Sequence, residues 1–350
     1  MSRELALDII NLKPTNRFGH TEYSMEYHKE YIEKLTGEFS ESYGKDFYDR
    51  WGFDFLWVVN DGMFGDWFKR GRATNMGHAA YALDESDKKA SQESPFKTVE
   101  EVWAFDPIKE YGLPDFNQQV KEYERFVKAQ REKFPNQLST GGYYKSIISG
   151  AIQAFGWDML LMAASDYNKF EKVLDGFFRY TLHHMQAWAE TSIEVIIQHD
   201  DFVWSSGPFI NPKFYRNIII PRYTELWKPL YKAGKKILFC SDGNFMEFAE
   251  DIIKAGADGL IFEPVNDFEF MVERFGNSIC IVGSAVDCRD MTFGSWEKVK
   301  MDMDKTFKLA EKCKGLILAV GNHIPPNVSD EMCDLYINYL QKNWFRKSII

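Results

Sequence analysis

Short apolar segments alternate with longer helical patterns through the second half of the chain, and this alternation restricts the fold most strongly. Five of the short segments are almost continuously apolar: Ile193–Gln198, Lys236–Cys240, Gly259–Phe262, Ser278–Gly283 and Gly315–Val320. Strands have this composition when they lie in a parallel sheet and are buried on both faces. A helical pattern follows each one: Pro212–Tyr231, Phe245–Ala255, Phe268–Phe275, Trp296–Cys313 and Asp330–Trp344. The pattern therefore predicts a parallel α/β fold.

Three further candidate strands lie in the first half, at Arg17–Tyr23, Phe53–Val59 and Leu138–Ser146, which brings the total to eight. No glycine-rich phosphate-binding motif follows any strand, which weakens the case for an open nucleotide-binding sheet. We predict a single (β/α)8 TIM barrel domain over residues 1–350, with an N-terminal helical extension. A long insertion separates strands two and three; it contains the polar stretch 84–94 and a helix at Phe116–Phe134. We interpret it as a lid or an extra layer over the barrel.

Composition excludes several classes of function. The net charge is -10, and a diffuse acidic balance argues against nucleic-acid binding. No apolar run is long enough to span a membrane. Five cysteines without a CxxC pair, and an N-terminus without the pattern of a signal peptide, predict reduced thiols and a cytoplasmic location. The sequence leaves a homodimer open.

Polar side chains lie where the predicted strands end, which is where the reacting groups of a barrel cluster. They are His20, Glu22, Asp61, Tyr143, Tyr144, His199, Asp200, Asp201, Cys240, Asp242, Glu263, Asp287, Cys288, Asn322 and His323. Structural roles stay open for several of them. Asp200 and Asp201 are also typical of a helix cap, Cys240 of a small core residue, and Asp242 of a tight turn before Gly243. Thiol, carboxylate and imidazole groups from separate strands also suit one Zn²⁺ ion.

Several segments resemble the uroporphyrinogen decarboxylase superfamily: HDDFVWSSGPFINPKFYRNIIIPRY, KKILFCSDGN, AGADGLIFEP, VGSAVDCRD and AVGNHIPPN. The resemblance implies a (β/α) barrel, in agreement with the strand pattern. True decarboxylases of this superfamily carry an Arg-Gln-Ala-Gly-Arg motif that grips the carboxylates of a porphyrinogen. The corresponding region here is NRFGHTEYS, with Arg17 as its one arginine. A substrate with many carboxylates needs several convergent arginines, so this region argues against porphyrinogen decarboxylation.

The other branch of the superfamily contains corrinoid-dependent methyltransferases. Its coenzyme M enzymes bind zinc through His-x-Cys before Gly-Asn and through a later Cys. Here Cys240 and Asp242 stand at the first two positions, and Asn322 or His323 stands near the third. The segments HTEYS, LFCSDGN and GNHIPP look more like methyltransferases of anaerobic O-demethylase systems. Those enzymes move a methyl group from a methyl ether, often a methoxylated aromatic, to a separate corrinoid protein.

This resemblance implies a set of roles. A small-molecule methyl donor and a corrinoid protein are the expected partners, and the chain has no DxHxxG motif for a corrinoid of its own. We expect zinc to be held by Cys240, Asp242, Glu263 and His323. We expect proton delivery by Asp201 and His199. We expect substrate to contact His20, Trp57, Tyr143, Trp204 and Asn322. The alternatives are a cofactor-independent decarboxylase of the same superfamily and a non-catalytic binding barrel.

Overall fold

A computed structural model describes residues 2–37, 45–58, 60–61, 94–144 and 146–347. The described strands, in chain order, are β1 Gly19–His20, β2 Phe55–Leu56, β3 Asn60–Asp61, β4 Leu138–Ser139, β5 Gly141–Tyr144, β6 Val195–His199, β7 Lys236–Cys240, β8 Gly259–Ile261, β9 Cys280–Val282 and β10 Gly315–Leu318. Every pairing between them is parallel. Eight of the segments form one sheet in the order β1-β10-β9-β8-β7-β6-β5-β3, and β2 pairs with β4.

The sheet closes on itself between the first and second strand positions. The Asp54 N–H donates to the His20 carbonyl at 2.9 Å, and the Thr21 hydroxyl donates to the Phe55 carbonyl at 2.7 Å. The segments β2 and β3 together occupy the second position, and β4 and β5 occupy the third. The strand order and the eight positions confirm the predicted (β/α)8 barrel.

The described helices are α1 Ser2–Ile10, α2 Lys29–Thr36, α3 Lys45–Trp51, α4 Val99–Trp103, α5 Pro107–Tyr111, α6 Phe116–Lys133, α7 Ile148–Phe155, α8 Trp157–Ala163, α9 Tyr167–Ala189, α10 Pro212–Phe214, α11 Ile220–Lys232, α12 Ala249–Ala255, α13 Phe268–Phe275, α14 Cys288–Phe293, α15 Trp296–Ala310 and α16 Asp330–Asn343. A π-helical turn at Tyr215–Ile219 joins α10 to α11, and short 3₁₀ turns lie at Met25–Tyr27 and Met246–Phe248. In the described part of the chain, no helix is long and apolar enough to cross a membrane.

Polar caps start the longer helices where the sequence places Asp or Ser. The Asp115 carboxylate accepts the Gln118 N–H at the start of α6, and Ser295 accepts the Lys298 N–H at the start of α15. Each cap satisfies one of the backbone donors that the first turn of a helix leaves without an intrahelical partner. These caps fix where the outer helices begin around the barrel.

Side chains alternate between the interior of the barrel and the helical layer. Along β6, Val195 and Ile197 belong to the interior cluster, whereas Ile196 packs with the helices. The other strands follow the same period of two, which is the spacing of side chains on a pleated strand. The interior cluster contains Phe55, Leu138, Val195, Ile197, Leu238, Cys240, Ile261, Cys280, Val282, Ile317 and Ala319.

The N-terminal helix α1 closes the lower end of the barrel, as expected of the predicted N-terminal extension. Its Ala6, Ile9 and Ile10 are buried in the same cluster as the interior strand residues. At Gly315 the fit is so close that an added Cβ would lie 2.8 Å from the Ile9 carbonyl oxygen. Ligands therefore reach the interior from the opposite end, the mouth, where the strands end.

The described part of the insertion packs on the side of the barrel. The predicted helix at Phe116–Phe134 is confirmed as α6, and its Tyr123 stacks on Trp188 of α9 with ring centroids 3.9 Å apart. Earlier in the insertion, the Trp103 indole donates to the Ala163 carbonyl at 3.1 Å. These helices form an extra layer. The polar stretch expected to act as a lid lies outside the described residues except for Ser94.

Candidate functional site

The alternation of side chains brings the polar groups of three neighbouring strands to the mouth. His199 and Asp201 continue the inward positions of β6, Asp242 follows Cys240 of β7, and Glu263 follows Ile261 of β8. Because β6, β7 and β8 are adjacent and parallel, their carboxyl ends meet at one place. The predicted clustering of strand-end side chains is therefore seen for these residues.

Hydrogen bonds connect these side chains to each other and to the loops. Asp201 Oδ1 lies 2.9 Å from His199 Nε2 and accepts the Asp242 N–H at 2.8 Å. The Glu263 carboxylate accepts the Gly243 N–H at 2.6 Å, and its other oxygen accepts the Asn322 amide at 3.5 Å. Strand ends from one half of the barrel are thus held in a single network.

The acidic groups share a water-poor environment. Burial raises the pKa of Asp242 well above its usual range, and the nearby charges of Asp201 and Glu263 raise it further. Burial also raises the pKa of Glu263 and that of the Cys240 thiol. Negative charges packed together in a low dielectric repel one another. A bound cation or a shared proton would relieve this repulsion.

Three of these residues can converge on one metal ion. The ligand atoms of His199, Asp201 and Asp242 all lie within 4.8 Å of one another. Nitrogen and oxygen donors at this spacing suit a divalent transition metal. This set overlaps with the ligands predicted from the sequence at Asp242. Cys240 and Glu263 border the same space, whereas His323 does not line it.

A small cavity of about 10 Å³ opens beside this cluster. Its described wall is formed by Trp57, Cys240, Ser241, Asp242, Ile261, Phe262, Glu263, Val282, Gly283, Ala319, Val320 and Asn322. No lysine or arginine belongs to this wall. The Trp57 indole N–H is buried and has no partner among the described residues, so a ligand oxygen could accept it. Two of the expected substrate contacts, Trp57 and Asn322, therefore lie on the cavity wall.

The turn after β7 is clamped by its neighbours. Gly243 has a φ of +80°, and an added Cβ would lie 2.6 Å from the Val203 carbonyl oxygen. On the other side, the Asn266 amide donates to the Gly243 carbonyl at 2.9 Å and its oxygen accepts the Phe245 N–H at 2.9 Å. Asn266 was not among the expected site residues. Its position three residues after Glu263, in the loop that follows β8, is the one signal in the sequence that could have suggested it.

The two adjacent aspartates have different roles. The Asp200 carboxylate accepts the Ile148 and Ser149 N–H groups, at 3.3 and 2.7 Å, and the Tyr223 hydroxyl at 2.7 Å. It is fully buried, which raises its pKa. Asp200 therefore caps α7, whereas Asp201 faces the cluster. The capping role that the sequence left open for both residues holds for Asp200.

Two expected substrate contacts lie outside the barrel interior. His20 is enclosed by Trp51, 6.4 Å between ring centroids, and by Phe53, at 5.1 Å. Tyr143 stacks on His184 of α9, with ring centroids 4.9 Å apart. Both residues occupy outward positions of their strands. The structure therefore does not bring them to the cavity.

The remaining two predicted residues lie at the edges of the site. Trp204 is 42% exposed on the rim, beside Trp157 and Phe209. His323 is fully buried behind Asn322, and its Nδ1 hydrogen-bonds the Asn322 side-chain oxygen. Through Asn322, His323 contacts the network indirectly.

Comparisons with known proteins place this geometry in context. The family profile described as uroporphyrinogen decarboxylase (URO-D) matches residues 85–342. No curated protein matches the whole chain significantly in sequence. Among solved structures, a methyltransferase from Methanosarcina mazei aligns with 97% of this chain and 98% of its own, at 14% identity and a TM-score of 0.65. That likeness shows a shared fold.

Two other solved structures align at lower scores. One is an IolI protein with a bound zinc atom, at 10% identity and a TM-score of 0.41, covering 96% of this chain and 97% of its own. The other is a 3-keto-D-glucoside 4-epimerase from E. coli, at 14% identity and a TM-score of 0.38, covering 71% of this chain and 97% of its own.

Proposed function

Because the chain belongs to the uroporphyrinogen decarboxylase (URO-D) family, we propose that it is a methyltransferase of that family. Its substrate is a methyl ether, in particular a methoxylated aromatic compound, and its acceptor is the cobalt(I) corrinoid of a separate protein. The fold shared with the Methanosarcina mazei methyltransferase supports the reaction class. The chemistry of the cavity wall supports the choice of substrate.

The absence of cationic side chains from the described cavity wall carries this proposal. A porphyrinogen has many carboxylates and needs several cations to hold them. Arg17, the one arginine of the N-terminal motif, is already paired with both Asp54 oxygens, at 2.6 and 2.7 Å. Its guanidinium also lies 4.3 Å from the Trp344 ring centroid. Arg17 is therefore committed to the fold, and an acidic cavity disfavours the decarboxylase alternative.

The residues at the mouth fit a zinc ion. Asp242 would hold the ion with the Cys240 thiol and the Glu263 carboxylate, which border the same cavity. His199 and Asp201, which converge on Asp242, keep the role of proton delivery. Burial and then the charges of Asp201 and Glu263 raise the pKa of Asp242, and a cation there would offset the repulsion between these charges. When bound, zinc supplies Lewis-acid polarisation of the ether oxygen, which stabilises the departing phenolate.

The proposed methyl transfer consumes one proton. The methyl carbon bonds to cobalt as its bond to the ether oxygen breaks, and the electron pair of the new bond comes from cobalt, which passes from Co(I) to Co(III). The pair of the broken bond stays on the oxygen. That oxygen takes a proton from the His199–Asp201 pair, whose contact of 2.9 Å allows the two groups to share one. The products are a phenol and the methylated corrinoid.

The wall and rim supply the remaining contacts. Trp57 lines the cavity with one ring face packed on Tyr23, 4.8 Å between centroids, and provides an aromatic surface for a substrate ring. Trp204 is exposed on the rim, where the corrinoid protein has to approach for cobalt to reach the methyl carbon.

An anaerobic assay with a methoxyarene and a Co(I) corrinoid protein tests the proposal. Phenol is expected when both are present with the wild-type protein. Asp201→Asn should slow its formation by about 100-fold, since general acid–base catalysis contributes about 10²–10⁴-fold. Asp166→Asn, at the exposed cap of α9, is the matched control and should keep full activity. Release of CO₂ from a carboxylated substrate without any corrinoid would instead support decarboxylation.

A further inference from the structure

A buried carboxylate joins three elements beneath the mouth. The Glu22 side chain, which follows β1, is fully enclosed. Its Oε1 accepts the Tyr336 hydroxyl of α16 at 2.5 Å and lies 3.2 Å from His20 Nε2. Its Oε2 accepts the Val320 N–H, just beyond β10, at 2.9 Å. Both oxygens of Glu22 are thus engaged by groups from β1, α16 and the segment after β10.

His20 and Glu22 share one proton across their contact. His20 Nδ1 lies 3.0 Å from the Trp51 carbonyl oxygen, which can only accept, so Nδ1 carries a hydrogen. The contact between Nε2 and Glu22 then needs one more proton. It is held either as an imidazolium facing a carboxylate or as an imidazole facing a carboxylic acid. In both forms the pair is neutral overall, which makes its deep burial tolerable.

The segment held by Glu22 carries Asn322. Gly321 packs so closely on Pro264 that an added Cβ would lie 1.9 Å from the proline Cδ. Asn322 has a φ of +69°, which is uncommon for a residue with a side chain. Two residues later, the Ile324 carbonyl accepts from His28 at 3.1 Å. The backbone is therefore fixed on both sides of Asn322.

We propose that Glu22 is a positioning residue whose bond to Val320 sets the side-chain amide of Asn322 against Glu263 and Asp242. Asn322 contacts both of these carboxyl groups. The inference rests on the proposed function in so far as this acidic cluster is the reaction centre. Glu22 is not among the described residues that line the cavity, so its effect passes through Val320 and Asn322.

A second tyrosine–carboxylate bond provides a matched control. Tyr31 of α2 donates to Asp334 of α16 at 2.8 Å, but Asp334 contacts no residue of the 320–324 segment among its described hydrogen bonds. Both bonds attach α16 to the region after β1. Asp334→Asn therefore makes the same carboxylate-to-amide change at a comparable tie without altering the support of Asn322.

The side-chain amide resonance of Asn322 in an ¹⁵N NMR spectrum tests the positioning directly. The resonance is assigned by its loss in Asn322→Ala. Glu22→Gln should shift it, because a glutamine cannot accept from Tyr336 and Val320 while also facing His20 in the same way. Asp334→Asn should leave it in place. If Glu22→Gln does not fold, Tyr336→Phe removes one tie of the same carboxylate and should shift the resonance in the same direction. An unshifted resonance in the folded variants would overturn the proposal.

The kinetics of single and double variants provide a second test of the proposal. In the methyl-transfer assay, Glu22→Gln and Asn322→Ala should each lower kcat/KM by about tenfold, and the double variant should lose no more than the worse single one, since residues acting through each other are not additive. Losses that multiply would show that Glu22 has a separate, structural role. If the wild-type protein transfers no methyl group, the proposed function fails, while the NMR arm still decides the positioning.

Discussion

Two cysteines of the barrel interior show how position along a strand decides chemistry. Cys240 ends β7 and lines the acidic cavity, whereas Cys280 begins β9 at the lower end of the barrel. Both are buried, and burial raises the pKa of both thiols. Asp242 and Asp201 lie near Cys240, while the neighbours of Cys280 are the Cys313 thiol and Asp258.

We expect one Zn²⁺ per chain in protein purified without chelator. Cys240→Ala and Asp242→Asn should each lower the zinc content, because each removes a ligand or a charge beside the convergent set. Cys280→Ala has the same change of side chain far from the cavity and should keep the metal. Elemental analysis measures the content. A metal-free wild-type protein with full activity would contradict this prediction. Asp201 and His199 would then have to stabilise the departing phenolate.

The sequence predicted that Asp201, Cys240, Asp242 and Glu263 lie together, because the strand ends of a barrel share one mouth. It did not separate them from His20 and Tyr143, which also lie at strand ends. Separating them requires knowing which residues of each strand point into the barrel and which point outward. In β6–β8 the apolar runs are long enough to show it, but β1 has only two residues. An error of one residue in the assignment of a strand exchanges its inward-facing and outward-facing side chains.

At the scale of elements, α7 depends on a single buried carboxylate. Asp200 accepts three backbone N–H groups, those of Ile147, Ile148 and Ser149. Without it these donors have no acceptor in a site closed to water. The start of α7 therefore depends on the residue next to Asp201, which ties the helix to the acidic cluster at the mouth.

Asp200→Ala should lower the free energy of unfolding by about 3–5 kcal/mol, since each buried donor left without an acceptor costs about 1–3 kcal/mol. Asp166→Ala removes an exposed cap of α9, which accepts one N–H at 3.1 Å. That control should lose about 1 kcal/mol. Urea unfolding of the two variants measures the difference. Equal losses would show that the Asp200 bonds do not stabilise α7 beyond an ordinary cap.

The second half of the sequence predicted its strands closely, but the second and third strand positions are each broken in two. Thr140 lies at the break. Its hydroxyl accepts the Val58 N–H at 2.9 Å and lies 2.8 Å from the Val58 carbonyl oxygen. A side chain thus takes the place of backbone pairing between β2–β3 and β4–β5. An apolar sequence pattern does not reveal this replacement of a backbone hydrogen bond by a side-chain one. The pattern reflects burial and not the partner of each backbone group.

For the whole molecule, acid stability depends on a buried imidazole. His184 of α9 is fully buried, with the Tyr123 hydroxyl 2.8 Å from its Nδ1. Burial lowers its pKa from 6.5 to about 3. Below pH 6.5 the unfolded chain therefore binds a proton at His184. The folded protein does not bind it until the pH falls to about 3. The contribution of His184 to stability is complete above pH 6.5 and declines as the pH falls through this window.

At pH 5 this decline should amount to about 2 kcal/mol relative to pH 7, from about 1.5 pH units at 1.36 kcal/mol each. His184→Gln keeps an acceptor for Tyr123 and cannot titrate, so its loss of stability between pH 7 and 5 should be smaller by that amount. His183→Gln, at the neighbouring, less buried histidine, is the control. Urea unfolding at both pH values gives one difference in stability for each of the three proteins. Parallel pH profiles for wild type and His184→Gln would contradict the prediction.

Among the described residues, the helix α1 occupies the lower end of the barrel, which leaves the mouth for exchange with solvent. Binding and release in the proposed reaction then follow a fixed order. The methyl donor enters before the corrinoid protein covers the mouth, and the phenol leaves after that protein has dissociated. The residence time of the complex therefore sets an upper limit on the turnover rate, however fast the chemical step is. A barrel closed from below favours a partner that binds briefly.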